Sequence, residues 1–227
     1  MADFEHVVRT AFAAREFTDR PVTDSDVSAI LDVARFASSG GNQQGWRVVV
    51  IRSAEMKSAV IDAGLDVVRR YIAQQKLGER AFNSIDPTSV TDADVAAVNP
   101  ESTHWYRKLA QAPVVLAIGV DLRLVAAIDS TLERVGIVSG ASIYPFVHNV
   151  ILAAHARGLA GVLTTFAVGA EGTVKDLLEL PSSVALAAIV PLGYPTRVLT
   201  RLSRNPVEEF ARWEHWGGPP VRTLSQP

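Results

Sequence analysis

Two uninterrupted apolar stretches, Ala112–Val120 and Val184–Leu192, constrain this chain more than anything else in it. Each has the length of a β-strand, and neither approaches the roughly 20 residues that a membrane-spanning helix needs. Short apolar runs of this kind predict strands over 113–120 and 184–193. Two further β-rich runs, 47–51 and Ala160–Phe166, add strands. Between them lie helical patterns. Residues 4–14 read as a short helix, and Thr23-x-x-Asp26 reads as a capping box that opens a second. Val27, Ile30, Leu31 and Ala34 then keep to one helical face. Residues 55–77 form a further helix, and 139–157 a long one interrupted by Pro145 and stopped by Gly158. A short helix over 171–179 stops at Pro181. Helices interleaved with a few strands predict a layered α/β or α+β fold in a single domain, 1–227. Residues 78–104 have no clean period and contain Pro87 and Pro100, so they read as an insertion over a site or a loose connection. The tail, 195–227, is rich in proline and carries Trp213 and Trp216, an aromatic area expected to pack on something such as another subunit.

Several function classes fall away. Lys and Arg number 22 against 24 Asp and Glu, a balance without the basic excess of a nucleic-acid-binding domain. There is no cysteine, which removes disulfides, thiolate nucleophiles and Cys-ligated metal. The first residues have no apolar stretch of the signal-peptide kind, so a cytoplasmic protein without membrane attachment is expected. There is no phosphate-binding Walker loop and no GxGxxG, and Gly140-Ala-Ser142-Ile-Tyr144 lacks the last glycine of a nucleophile elbow. The histidines His6, His104, His148, His155 and His215 form no HxxxH or HExxH pair, so no metal site is expected. With no acid/base pair picked out by spacing, any chemistry falls to a bound cofactor, for which the protein supplies binding, orientation and electrostatics.

Three blocks carry a resemblance. Ala14-Arg15-Glu16-Phe17-Thr-Asp-Arg-Pro-Val22, Ala37-Ser38-Ser39-Gly40-Gly41-Asn42-Gln43-Gln44-Gly45-Trp46 and Gly158-Leu-Ala-Gly161-Val162-Leu163-Thr164-Thr165 occur in that order. Leu192-Gly193-Tyr194-Pro195 and a basic tail with Arg201 and Arg204-Asn-Pro206 follow. Together they resemble the flavin-dependent nitroreductase family. The resemblance implies an α+β fold with a central mixed, mainly antiparallel sheet flanked by helices. It implies a C-terminal tail exchanged in a homodimer, and one FMN per site at the subunit interface. It further implies ping-pong transfer of hydride from NAD(P)H to nitroaromatics, quinones or other small acceptors.

Each residue so implicated also has a plain physical reading. Arg15 placed at the flavin pyrimidine edge would stabilise the negative charge that reduction puts there; otherwise it is a surface cation. Ser38, Ser39, Gly40, Asn42 and Gln44 supply a close-approaching backbone and short polar groups for a planar ring, or simply close a helix. Trp46 reads as packing, and His148-Asn149 as packing or a polar network. Leu163, Thr164 and Thr165 would line the flavin N5 side by resemblance alone, being otherwise a strand. Trp105 and Tyr106 are expected to wall a substrate slot covered by 78–108, with His104 or Arg107 taking a charged substituent. The family's R-x-S, which holds the FMN phosphate, is replaced by Ala11, Phe12 and Ala13, so Arg204 and Arg201 are expected to take over. That loss leaves two other readings open: a non-catalytic flavin-storing relative, and an enzyme of the same fold using a deazaflavin-type cosubstrate.

Overall fold

The computed structural model describes residues 3–222; the first two positions and the last five of the expected tail lie outside them. The helices are α1 (Phe4–Thr10), α2 (Asp24–Ala34), α3 (Ala54–Ala63), α4 (Leu65–Lys76), α5 (Asp92–Ala96), α6 (His104–Arg107), α7 (Tyr144–His155), α8 (Glu171–Leu178) and α9 (Val207–Phe210). The strands are β1 (Trp46–Ile51), β2 (Val114–Asp121), β3 (Ala160–Gly161) and β4 (Val184–Gly193). They form one sheet in the order β1-β2-β4-β3. All described pairings between these strands are antiparallel. The fold is therefore α+β, and among the described residues the parallel contact is an isolated bridge between Ala13 and Gly161.

The apolar runs become the two middle strands. β2 is buried at every position and β4 at all but Ala185, because helices cover both faces. On one face α2 and α7 close a core containing Ile30, Ala34, Leu116, Ile118, Val147, Val150 and Val190. On the other, α3, α4 and the 104–111 turns close a second core around Ile61, Val68, Tyr106, Leu109, Val115 and Ile189. Trp46 stacks on Phe146 with ring centroids 4.9 Å apart, a packing role. The capping box at Thr23–Asp26 forms in full, with Asp26 Oδ2 accepting from the Thr23 amide at 2.9 Å.

Four expected elements are shorter or divided. The first helix ends at Thr10, and residues 11–17 run extended, with Phe12 and Ala14 inward and Ala13 and Arg15 outward. The 55–77 helix breaks at Gly64, where a Cβ would lie 2.4 Å from the Tyr106 hydroxyl, so only glycine lets the two helices fold onto that ring. The long helix starts at Tyr144 with Pro145 in its first turn, where a missing N–H costs nothing. The third strand is two residues long. The chain leaves the sheet at Val162, and its next bridge to it is that of Thr164 with Ile189.

The 78–108 segment is not a uniform cover. Its first part packs on α4 through Val90 and Val98 against Ala73. Glu79 latches it by accepting from Thr88 Oγ1 and from the Ser89 amide and hydroxyl. Only residues from His104 onward reach the cavity described next.

Candidate active site

The extended segment 11–17 is held between two parts of the chain that are distant in sequence. The Ala14 amide donates to Gly161 O at 3.1 Å, the Thr18 amide to Tyr194 O at 2.8 Å and the Thr196 amide to Glu16 O at 3.2 Å. Beside this ribbon lies a cavity of about 350 Å³. Its walls include Ala13, Arg15 and Glu16 from the ribbon, Thr196, Arg197 and Leu199 from the tail, and His104, Trp105 and Lys108 from the turns before β2.

The charges are unequal. Arg15, Arg197 and Lys108 face a single carboxylate, Glu16, which already pairs with Lys108 at 3.1 Å. Among the described residues, no protein group pairs with the Arg15 or Arg197 guanidinium. Guanidinium forks left open toward a cavity suit a ligand with anionic or electron-rich oxygens.

Leu163 and Thr165 are exposed on the stretch that follows Gly161. Thr164 is not available with them. Its side chain is buried, its amide donates to Ile189 O at 3.0 Å and its carbonyl accepts from the Ile189 amide at 2.9 Å. The expected contact from Thr164 is therefore spent on the sheet.

Tyr106 also departs from expectation. It is 0% exposed and sits in the second core, so it walls no slot. Trp105 does line the cavity. On this helical turn Thr103, Tyr106 and Leu109 point inward, which turns His104 and Lys108 toward the cavity. Arg107 leaves on another face and lies 3.6 Å from Asp62. Arg201 and Arg204 are exposed and do not line the cavity, and Arg204 donates to its own neighbour, Ser203 O. The tail cation that reaches the cavity is Arg197. Nothing in its spacing separates it from Arg201, but Tyr194-Pro195 zips onto Phe17 and so carries Arg197 to Arg15.

The polar loop Ser38–Gln44 is well ordered by its own bonds. Ser39 Oγ accepts from the Gln44 amide at 3.0 Å, and Gln44 Nε2 donates to Asn42 Oδ1 at 3.2 Å. The Gly40 amide donates to Ser142 Oγ at 3.1 Å. Gly41, Asn42 and Gln44 all have positive φ, a concentration of left-handed backbone that is more common at functional loops than elsewhere. The loop is tied to the end of β2, where the Asp121 amide donates to Gly45 O at 2.8 Å. Asp121 is itself pinned by a two-pronged bond from Arg123, at 2.9 and 2.7 Å, which holds its carboxyl at about 2.

One chain does not join this loop to Arg15. The loop enters the sheet where Trp46 faces Val120, whereas the Arg15 ribbon meets it where Gly161 faces Leu192 and Leu192 faces Val114. Those positions are opposite ends of β2, about 20 Å apart at the usual strand rise.

The comparisons agree with this architecture. The model of the nitroreductase family matches residues 8–194. A 4-nitrobenzoate reductase of Pseudomonas putida is 25% identical over 233 residues, covering 95% of this chain and 96% of its own length. A BluB-like flavoprotein from Clostridium difficile superposes with a TM-score of 0.69 at 18% identity, over 94% of this chain and 99% of that one. NfnB from Sphigopyxis sp. strain HMH, described as an FMN- and NADPH-dependent nitroreductase, gives 0.66 at 21% identity, over 95% and 100%. A family match over most of the sequence, on a fold shared with these neighbours, leads to one assignment: the chain belongs to the nitroreductase family.

Proposed function

We propose that this protein is an FMN-dependent oxidoreductase that passes hydride from NAD(P)H to nitroaromatic, quinone or related small acceptors in two half-reactions. The observation that carries the reading is the pair of guanidiniums, Arg15 and Arg197, on the wall of one cavity, neither paired with a carboxylate among the described residues, since Glu16 there pairs with Lys108. A flavin fits such a donor set, because its pyrimidine edge gains negative charge on reduction and its phosphate carries charge throughout. Relatives named as a nitrobenzoate reductase and an FMN-dependent nitroreductase support the same reading.

When bound, the flavin supplies a site that accepts hydride and returns it. The chain's residues do the rest. Arg15 stabilises the pyrimidine edge, and Leu163 and Thr165 present the exposed stretch beside Gly161 to the ring. Trp105 gives an apolar wall. The loop Ser38, Ser39, Gly40, Asn42 and Gln44 lies at the far end of the sheet from Arg15, so in this proposal it serves the partner's site. A two-fold homodimer with two composite sites follows, and the exposed Phe210, Trp213 and Trp216 of the tail belong to the surface it would bury.

The test is an anaerobic absorption spectrum of the purified protein. A flavin spectrum that bleaches with NADH or NADPH, and returns on adding 4-nitrobenzoate or a quinone, is expected. A colourless protein that takes up no added FMN would overturn the proposal, and a yellow one that no donor bleaches would favour flavin storage.

A further inference from the structure

We infer that His104, Lys108 and Arg197 form an anion-recognition element on the wall of the Arg15 cavity, for a phosphate or carboxylate group. Only the identity of one candidate anion, a flavin phosphate, rests on the function proposed above.

The argument starts with the turn before β2. Burial of Thr103, Tyr106 and Leu109 fixes its inward face. His104 and Lys108, four residues apart, then share the face that meets the cavity. Arg197 arrives from the tail, positioned by the bonds of Thr18 to Tyr194 and of Thr196 to Glu16. The three therefore come from two elements that meet only in the fold. Neither the His104 ring nor the Arg197 guanidinium has a protein partner among the described residues. Lys108 has Glu16, but both side chains are substantially exposed, at 36% and 61%. Such a pair is weak and readily exchanged for a better anion.

The floor of the cavity points the same way. Ala13 faces outward there, where a small side chain leaves room and offers neither charge nor hydroxyl. A ligand anion lying over Ala13 has its donors on the other walls. Trp105 and Leu199 provide apolar surface beside them. The ligand class is thus a largely apolar or planar body with one anionic terminus. Two sources share that chemistry: the phosphate of a flavin mononucleotide and the carboxylate of an aromatic acceptor.

The test compares wild type with the double variant Lys108→Met, Arg197→Met and with Glu16→Gln. Flavin fluorescence quenching on protein stripped of flavin measures FMN against riboflavin. Calorimetry on protein as purified measures benzoate against benzyl alcohol. The double variant is expected to lose about tenfold or more of the preference for one charged ligand over its neutral counterpart. Glu16→Gln is expected to raise it, by releasing Lys108. Loss in the FMN arm identifies the phosphate as occupant, and loss in the benzoate arm identifies the acceptor carboxylate. If both preferences are unchanged in the double variant, or absent from wild type, the inference is wrong. If no flavin binds but benzoate binds through Lys108 and Arg197, the inference stands and the flavin function falls.

Discussion

Replacing Tyr106 with phenylalanine is expected to stabilise the protein. The ring is fully buried between Trp105 and Phe166, with centroids 5.8 and 5.4 Å away, and phenylalanine keeps those edge contacts. The hydroxyl is different. It is buried without a hydrogen-bond partner among the described residues, and desolvation pushes its ionisation far above the ordinary tyrosine value. Taking a hydroxyl out of water with nothing to replace the lost bonds costs about 1–3 kcal/mol. Removing it recovers most of that, less a small term for the vacated space beside Gly64. A net gain of roughly 1 kcal/mol corresponds to about 2–4 °C in Tm for a chain of this size. Tyr106→Leu is the contrast, since it removes ring contacts and opens a cavity, at a cost of roughly 2–4 kcal/mol. Thermal and urea unfolding of the three proteins measure both changes, and acceptor selectivity is assayed alongside. A Tyr106→Phe variant that is destabilised by 1 kcal/mol or more would refute the reasoning. A shift in acceptor selectivity at unchanged stability would restore Tyr106 to the substrate slot.

Arg15→Ala is expected to weaken FMN binding or slow its reduction by about 1.5–3 kcal/mol, the worth of one charge-assisted contact; titration of stripped protein and stopped-flow reduction with NADH measure this, and wild-type values in both would remove Arg15 from the site. Trp105→Ala is expected to change the ratio of kcat/KM between nitroaromatic and quinone acceptors while flavin content holds; loss of stability alone would leave Trp105 a packing residue. Asp121, Asp129 and Glu79 are each held at about 2 by hydrogen bonds, below their ordinary values, so the stability they add is complete above the ordinary carboxylate range and lost as pH falls through it toward 2. His155 acts in the same direction at higher pH: burial, with the charge of His6, lowers its value, so stability present above about 6.5 declines as pH falls below it. Urea midpoints from pH 8 to pH 3 test both windows, and a flat profile would contradict them. Sedimentation at micromolar concentration is expected to give about twice 24.4 kDa, whereas a monomer that retains flavin would refute the composite site.

The middle of the sheet was readable because its strands are apolar on both faces, so neither period nor propensity left a choice. Val184–Gly193 has the predicted bounds. The edges of the fold were less readable, for a common reason. Ala11-Phe12-Ala13-Ala14 has good intrinsic helix propensity, yet after the Ala11 amide closes α1 on Val7 O it runs extended, with Ala13 bridging Gly161 and the Ala14 amide donating to Gly161 O. Val162-Leu163 has strand propensity, but the chain turns off the sheet there to present Leu163 and Thr165. Tertiary partners decide both segments, and both border the site. On the turn before β2 the signal was present: Tyr106 and Leu109 three apart are a buried face, and His104 and Lys108 four apart are the opposite one. Arg197 gave no such signal, since only the pairing of Phe17 with Pro195 distinguishes it from the basic residues that follow.

That pairing also sets an order of events during synthesis. The ribbon 11–17 emerges from the ribosome before its partners Gly161, Tyr194 and Thr196. Its Gly161 edge is complete only once β4 is out, and its other side has no partner until Tyr194 and Thr196 are out. This wall of the cavity therefore depends on the tail made last: a chain that stops after β4 lacks Thr196, Arg197 and Leu199, and its site stays open on that side.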